Sequence, residues 1–138
     1  MKTMETILKV NKISKAPDFI KPAIDPKTSF MPLRSSKKFK IPGHTTMTIT
    51  TGIAVEIPKG FYGLILDSEN LCKTYPLMNR VQVITSENRE EISLRIFNYS
   101  SYPEQIDYNQ VVGNLLLVPI VNVEQKNVPK ISKLTENE

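Results

Sequence analysis

Two groups of acidic side chains in the middle of this chain have the residue types that acid–base chemistry requires. Glu87, Glu90 and Glu91 lie within five residues, and Asp67 and Glu69 are two residues apart. Paired carboxylates perform proton transfer or hold a cation only where they converge on one point. Glu90 and Glu91 point to opposite faces of a strand, so we interpret the first group as a solvated strand end. Asp67 and Glu69 can share a face, which leaves a cation or basic-peptide site open.

The nucleophile and metal-ligand inventory is short. His44 is the only histidine and Cys72 the only cysteine. A metal centre or a Ser–His relay needs several such residues in register, so neither is expected. We predict no metal and no cofactor. A lone thiol excludes an internal disulfide, and it fits a small core residue in a reducing compartment.

Length and hydropathy place the chain in the class of single soluble domains. Its 138 residues suffice for one domain. No apolar run approaches the roughly 20 residues of a membrane span, and residues 1–15 lack the apolar block of a signal peptide. An intracellular location, in cytoplasm or nucleus, is therefore expected, with association with a virion left open.

The positive charge is concentrated at the N-terminal side. Residues 1–43 carry ten Lys/Arg against three acids, whereas residues 44–120 carry five against eight. Such a patch can bind nucleic acid or an acidic partner. The lysines are scattered and are not interleaved with aromatic residues, which favours a solvated surface. Nucleic-acid binding is therefore not expected.

Most apolar segments alternate with polar residues at period two, the pattern of half-buried strands. Turn signals separate them, including Pro42-Gly43 and Pro58-Lys59-Gly60. Residues 68–78 allow a single helical turn, because Pro76 opposes a longer helix. Short strands and frequent turns predict an all-β barrel or sandwich with little helix. The predicted strands are residues 6–13, 46–57, 61–66, 81–84, 92–97 and 115–123, the last buried on both sides.

Two segments carry a resemblance to a known family. Residues 51–65 read T-G-I-A-V-E-I-P-K-G-F-Y-G-L-I, and residues 82–92 read Q-V-I-T-S-E-N-R-E-E-I. The trimeric deoxyuridine triphosphatases (dUTPases) carry T-G-I-A-V-x-I-P-x-G-Y-Y-G-R-I and G-V-I-D-x-D-Y-R-G-E-I, so the chain resembles that family over roughly residues 5–123. The resemblance implies a distorted β-barrel of the β-clip or jelly-roll type that assembles as a homotrimer.

The resemblance also marks positions of the family's pocket. Met31 replaces the aspartate of the first motif, and Ser68 replaces the phosphate-binding arginine of the second, with Glu69 beside it. A thioether does not ligate Mg²⁺, which prefers oxygen. Asp67 and Glu69 would repel a triphosphate by a few kcal/mol at an effective dielectric near about 20.

The third and fourth motifs depart as well. Thr85 stands at the catalytic aspartate, and Asn88 stands at the tyrosine that supports the sugar and base. A threonine hydroxyl stays protonated near neutral pH and is no general base. Val111 replaces an arginine and Asn114 a glutamine of the fourth motif. The glycine-rich fifth motif has no counterpart after Gly113.

These departures predict a pseudoenzyme, with Met31, Ser68, Glu69, Thr85, Asn88, Val111 and Asn114 as vestigial pocket positions. The predicted function is a non-catalytic protein-interaction module that binds an unidentified partner, including a host protein. Residues 97–100 and 112–117 resemble runs in adenoviral early-region relatives, which indicates a viral origin. The alternatives are a structural component of a particle, or a remaining nucleotide-binding enzyme that hydrolyses dUTP.

Three tyrosines are candidates for a protein interface. Tyr99, Tyr102 and Tyr108 lie around predicted turns, and tyrosines are frequent anchors of protein contacts. Packing with a wet hydroxyl is the alternative role. For the domain organisation we predict one β domain over residues 1–123 and a polar tail over residues 124–138.

Overall fold

The computed structural model describes residues 5–134. Within that range the chain forms ten strands and one short helix. No helix among these residues is long and apolar enough to cross a membrane. The elements are β1 (Lys9–Lys12), β2 (Met31–Arg34), β3 (Phe39–Ile41), β4 (Thr46–Glu56), β5 (Phe61–Asp67), α1 (Glu69–Thr74), β6 (Leu77–Asn79), β7 (Gln82–Ile84), β8 (Glu91–Asn98), β9 (Glu104–Ile106) and β10 (Val111–Pro119).

Antiparallel pairing joins the strands into three sheets. The first sheet has the order β1-β4-β8-β6, the second has the order β2-β10-β5-β7, and β3 pairs with β9. Their inner faces supply one apolar cluster, so the core lies between the sheets. The predicted all-β architecture with little helix is confirmed.

Period-two burial explains why these segments are strands. In β8, Ile92, Leu94 and Ile96 are buried while Arg95 is exposed, so one face enters the core and the other meets solvent. The pairing of β4 with β8 shifts between Thr50 and Ala54. Gly52 at this bulge has φ +77, a conformation that glycine adopts without steric cost.

The prediction that the acidic group Glu87, Glu90 and Glu91 is solvated is wrong for Glu91. Its carboxylate is half-buried and accepts a hydrogen bond of 2.8 Å from the backbone N–H of Gly52. It therefore holds the bulge of β4 and is not merely solvated. Glu87 and Glu90 are exposed, as predicted for that segment.

The last strand differs from its prediction. It spans Val111–Pro119 instead of residues 115–123, and Leu116 and Val118 are only half-buried. Pro119 removes a backbone donor and stops the ladder soon afterwards, which leaves Val121 and Val123 exposed. Residues 120–134 form no helix or strand. The proposed boundary between domain and tail at residue 123 stays a prediction.

A buried asparagine organises the loop after β8. Asn98 is fully buried, and its amide nitrogen donates to the carbonyls of Ile41, Pro42 and Tyr102. Its carbonyl oxygen accepts from the backbone N–H and the hydroxyl of Ser100. One side chain thus ties β3, β8 and the loop before β9. This structural role explains the run at residues 97–100 without reference to an adenoviral relative.

We expect Asn98→Ala to lower the free energy of unfolding by about 2–4 kcal/mol, because several buried carbonyls lose their donor. Urea denaturation followed by circular dichroism measures this change. Asn127→Ala, on the exposed tail, should change it by less than about 0.5 kcal/mol. Equal stability of Asn98→Ala and the unmodified chain would contradict the role assigned to Asn98.

Candidate functional site

Three of the pocket positions meet on the second sheet. Strand β10 places Asn114 opposite Pro32 on one side and opposite Leu66 on the other. Met31 pairs with Leu115, and Gly113 pairs with Asp67. The first, second and fourth motif positions are therefore neighbours within one chain.

A cavity of about 530 Å³ lies near the second and fourth motif positions, whereas Met31 lines a different cavity. It lies between α1 and the turn that precedes β10, beside Ser68 and Glu69. Val111, which is half-buried, is in its wall. The full lining is Asn70, Leu71, Thr74, Tyr75, Asp107, Gln110 and Val111. Amide and hydroxyl groups thus dominate its polar surface, and they can bind an oxygen-rich ligand.

The side chain of Met31 does not belong to a metal site. It is only 1% exposed and belongs to the apolar core, and a thioether is a poor ligand for a hard cation. Within residues 5–134 no three His, Cys, Asp or Glu side chains converge to hold a metal ion. Met31 therefore contributes no ligand to a Mg²⁺ site.

The charges beside Ser68 are partly compensated. Ser68 is buried and precedes α1, and its carbonyl accepts from the N–H of Cys72. Glu69 forms a 2.6 Å ion pair with Lys73 one turn later. The hydrogen bond with Lys73 and its charge lower the pKa of Glu69, and the same contact raises the pKa of Lys73. Cys72 is exposed, so its prediction as a small core residue is wrong. Limited desolvation, followed by the neighbouring Asp67, raises the pKa of its thiol.

Thr85 and Asn88 occupy the turn between β7 and β8. Both are exposed, and the carbonyl of Thr85 accepts from the N–H of Asn88. The side chain of Asn88 accepts from the N–H of Glu90. Arg89 donates to the carbonyls of Ser86 and Asn88, which closes the turn. The turn is thus built by its own polar residues.

This turn is remote from Ser68 in the same chain. Ile84 pairs with Gly63, so Thr85 lies near the start of β5, whereas Ser68 follows its end. Six residues of strand span about 20 Å at 3.3 Å per residue. The third motif positions are therefore not brought together with the other three by one chain, and a site that uses all four needs a second chain.

Strands β7 and β8, joined by this turn, form a hairpin whose two strands do not pair with each other. Among the described residues, each strand has an edge without a backbone partner on the side of the other. β7 pairs with β5, and β8 pairs with β4 and β6. The contact between β6 and β8 ends where the N–H of Arg80 donates to Arg95. Because alternate residues direct their backbone groups to the same side, Ser93 directs its N–H and C=O into the gap. Within the described chain, residues 82–84 and 91–94 thus border a slot with free backbone donors and acceptors.

Two side chains that the sequence-based reasoning missed lie near this slot. Asn79 is 6% exposed, and neither its amide nitrogen nor its oxygen has a hydrogen-bond partner within residues 5–134. The Gln82 carbonyl oxygen is likewise buried and unpartnered. Unsatisfied buried polar groups of this kind point to a ligand or an ordered water. The sequence signal was an asparagine, a poor strand former, at an inward position of β6.

The tyrosine trio does not form one patch. Tyr102 precedes β9 and Tyr108 follows it, so they lie at opposite ends of that strand. Tyr108 packs edge-on against Phe19, with ring centroids 6.0 Å apart. All three tyrosines are exposed. Their interface role stays a prediction.

With this geometry established, the family of the chain follows. The model of the dUTPase family matches residues 15–138. This match covers most of the sequence, and the chain therefore belongs to the dUTPase family. The resemblance found in the motifs is confirmed at the level of the family.

Curated relatives carry the same family name. The deoxyuridine 5'-triphosphate nucleotidohydrolase of Escherichia phage T5 is 34% identical over 79 residues, covering 56% of this chain and 53% of the relative. The Candida albicans protein of that name is 27% identical, covering 70% and 60%. For the Aquifex aeolicus protein the values are 26%, 87% and 83%. The chain thus spans between half and two thirds of the first two relatives.

Solved structures show the same fold. A mutant dUTPase of Staphylococcus bacteriophage 80alpha, solved with dUpNHpp, has a TM-score of 0.77 at 19% identity and covers 96% of this chain and 94% of its own. A mutant dUTPase from phage phi11 of S. aureus has a TM-score of 0.75 at 18% identity, covering 91% and 98%. At these identities the likeness shows the fold alone.

The prediction that the chain is not an enzyme is wrong. The relatives that it matches are named nucleotidohydrolases, and the comparisons show neither a degenerate subgroup nor an adenoviral one. The prediction rested on departures at five motifs taken together. Such departures alone do not show which other side chains converge on a site.

Proposed function

We propose that this protein is a dUTPase-type hydrolase that converts dUTP to dUMP and pyrophosphate. The family match over residues 15–138 carries the proposal, supported by the nucleotidohydrolase names of the relatives. The slot in the hairpin and the cavity beside α1 supply the two kinds of surface that a nucleotide needs, one for its base and one for its phosphates.

The base would enter the slot between the arms of the hairpin. A uracil ring presents two carbonyl acceptors and one N–H donor along its edge. The backbone of Ser93 offers both a donor and an acceptor, and the Asn79 amide offers the same pair. A ligand that pairs with these groups removes the cost of leaving them unsatisfied, about 1–3 kcal/mol for each group.

The phosphates would lie along α1, beside Ser68, Glu69, Val111 and Asn114. The substrate in the cell is the Mg²⁺ complex of dUTP, whose cation offsets the carboxylates of Asp67 and Glu69. The turn with Thr85 and Asn88 would come from a second chain. Glu87, exposed in that turn, is the carboxylate that we assign as the general base toward the attacking water.

Because this site would be shared between chains, we propose that the protein assembles as a homotrimer, as the family resemblance implies. The outer face of the second sheet is apolar and faces away from the core. Leu64 pairs with Val83 and with Leu116, and Val83 is 59% exposed. Exposed apolar patches on a sheet commonly mark an interface. This face would bring the turn of one chain toward the cavity of another.

The protein-interaction function, the host partner, the viral origin and the intracellular location stay predictions. The phage 80alpha dUTPase, one of the solved structures, belongs to phage dUTPases that control the transfer of virulence genes. That is a property of those proteins. It gives this chain no partner, because the likeness rests on 19% identity.

The direct test is incubation of the protein with dUTP and Mg²⁺, with pyrophosphate release and dUMP measured against dTTP, dCTP and UTP. We expect turnover of dUTP above the other three. Glu87→Gln should lower kcat by about 10²–10⁴-fold, the usual contribution of a general base. Glu124→Gln, an exposed carboxylate of the tail, is the matched control. Folded protein that leaves dUTP intact would refute the proposal.

The Asn79 amide gives a second test that separates binding from folding. Asn79→Ala removes two atoms without partners, so the free energy of unfolding should not fall by more than about 1 kcal/mol. The KM for dUTP should rise by about 10-fold or more, since one lost hydrogen bond is worth about 1.4 kcal/mol. Chemical denaturation and initial rates measure the two quantities. A large loss of stability with unchanged KM would assign Asn79 to folding alone.

The assembly is tested by a charge on its apolar face. We expect Val83→Lys to convert the trimer to monomer in size-exclusion chromatography with light scattering. Activity per chain should fall by at least about 100-fold, because the two halves of the site lose their alignment. Met78→Lys, a matched change on the first sheet at 49% exposure, should leave mass and activity unaltered. A monomeric unmodified protein with full activity would contradict the shared site.

A further inference from the structure

Two arginines stand directly across from each other on the outer face of the first sheet. Asn79 pairs with Ile96, and the next residue, Arg80, donates its backbone N–H to the carbonyl of Arg95. Asn79 and Ile96 are buried, whereas Arg80 and Arg95 are exposed. Side chains directly opposite in an antiparallel pair have their Cβ atoms about 5 Å apart. The register therefore places the two arginine side chains next to each other on the solvent face.

This pair of charges has no counter-ion within the described residues. The ion pairs found there join Lys9 and Arg89 to Glu56, and Lys73 to Glu69. Like charges directly opposite each other destabilise a sheet. An anion that contacts both guanidinium groups would remove this repulsion and gain two charge-assisted hydrogen-bond donors.

A cavity of about 310 Å³ lies at the same place. The row next to the arginines consists of Thr46, Phe97 and Met78, which are paired across β4, β8 and β6. All three line the cavity together with Asn79, Arg80 and Arg95. The volume is at the lower end of the range for small-molecule sites, about 300–1,000 Å³. An aromatic ring, a thioether and a hydroxyl thus lie beside two cations.

We propose that this face is a second nucleotide site, which binds a phosphate group through Arg80 and Arg95 and stacks the attached base on Phe97. Arginine suits phosphate because its planar fork donates two parallel hydrogen bonds. An aromatic ring accepts any base by stacking, and Thr46 adds a hydroxyl. The site uses the outer face of β8 and goes beyond the proposed hydrolysis, which uses the edge of that strand. The phosphate belongs either to a free nucleotide or to a single-stranded nucleic acid.

The test uses ligands without uracil, so that the proposed base slot does not contribute, and the phosphate surface along α1 is the same in every variant compared. Inorganic phosphate, dAMP and the ten-nucleotide strand (dA)10 are titrated into the full chain, and their affinities are measured by calorimetry. We expect dAMP to bind at least about 10-fold more tightly than inorganic phosphate, because stacking adds about 1–3 kcal/mol. R80Q/R95Q should lose at least about 10-fold in affinity for dAMP, since both charged donors are gone. K38Q/K40Q removes two exposed lysines elsewhere and should retain the affinity.

The two sources of phosphate are distinguished by salt. Tighter binding of (dA)10 than of dAMP identifies a nucleic-acid strand. In that case the slope of log K against log salt concentration should decrease in R80Q/R95Q by the equivalent of about one to two phosphate contacts. Equal binding per phosphate identifies a free nucleotide. Removal of the repulsion should leave R80Q/R95Q at least as stable as the unmodified chain in thermal unfolding. Undiminished dAMP affinity in the folded variant, or phosphate binding as tight as that of dAMP, would overturn the proposal.

Discussion

The closeness of the two sheets at Gly113 is the constraint on which the rest of the structure depends. A Cβ atom at this position would lie 2.6 Å from Leu94 of the first sheet and 3.1 Å from the carbonyl of Leu66 on the neighbouring strand. A side chain at this position would force Leu94 and Asn79 to move and would crowd the carbonyl of Leu66. The contact seats β10 between β2 and β5, and it holds the Asn79 amide against the same strand. The close approach of β10 to the first sheet therefore encloses the Asn79 amide.

Much of the fold was accessible from the sequence, because alternation and turn residues act locally. Strands β4, β5 and β8 begin and end close to their predicted bounds, and Gly43, Pro58 and Gly60 delimit the first two. The last strand was misplaced because its apolar residues continue beyond Pro119 into a segment that buries nothing. An apolar run in a sequence does not by itself show which of its residues pair with a neighbouring strand.

The site was accessible only in part. The family resemblance proposed Ser68, Thr85 and Asn114 as pocket positions, and the register of β10 shows why Asn114 lies near Ser68. The slot was not predictable, because it depends on β7 joining one sheet and β8 the other. The absence of activity was wrongly predicted because departures at five motifs, Thr85 among them, were taken together as loss of the reaction, whereas the relatives are named nucleotidohydrolases. Departures from a motif do not show which other side chains converge on a site.

The parting of β7 from β8 has a consequence for stability as well as for recognition. Strand edges with free N–H and C=O groups are templates for pairing with other chains. Here they are short and splayed into different sheets, which keeps them from extending a ladder. A flat molecule that enters the gap completes the missing hydrogen bonds and joins the two sheets through itself. Ligand and fold are then thermodynamically linked: at about 100 times the Kd, such a ligand adds about 2.7 kcal/mol to the stability of the native state. The free energy of unfolding would therefore be highest when the ligand is abundant and would decrease as the ligand is consumed.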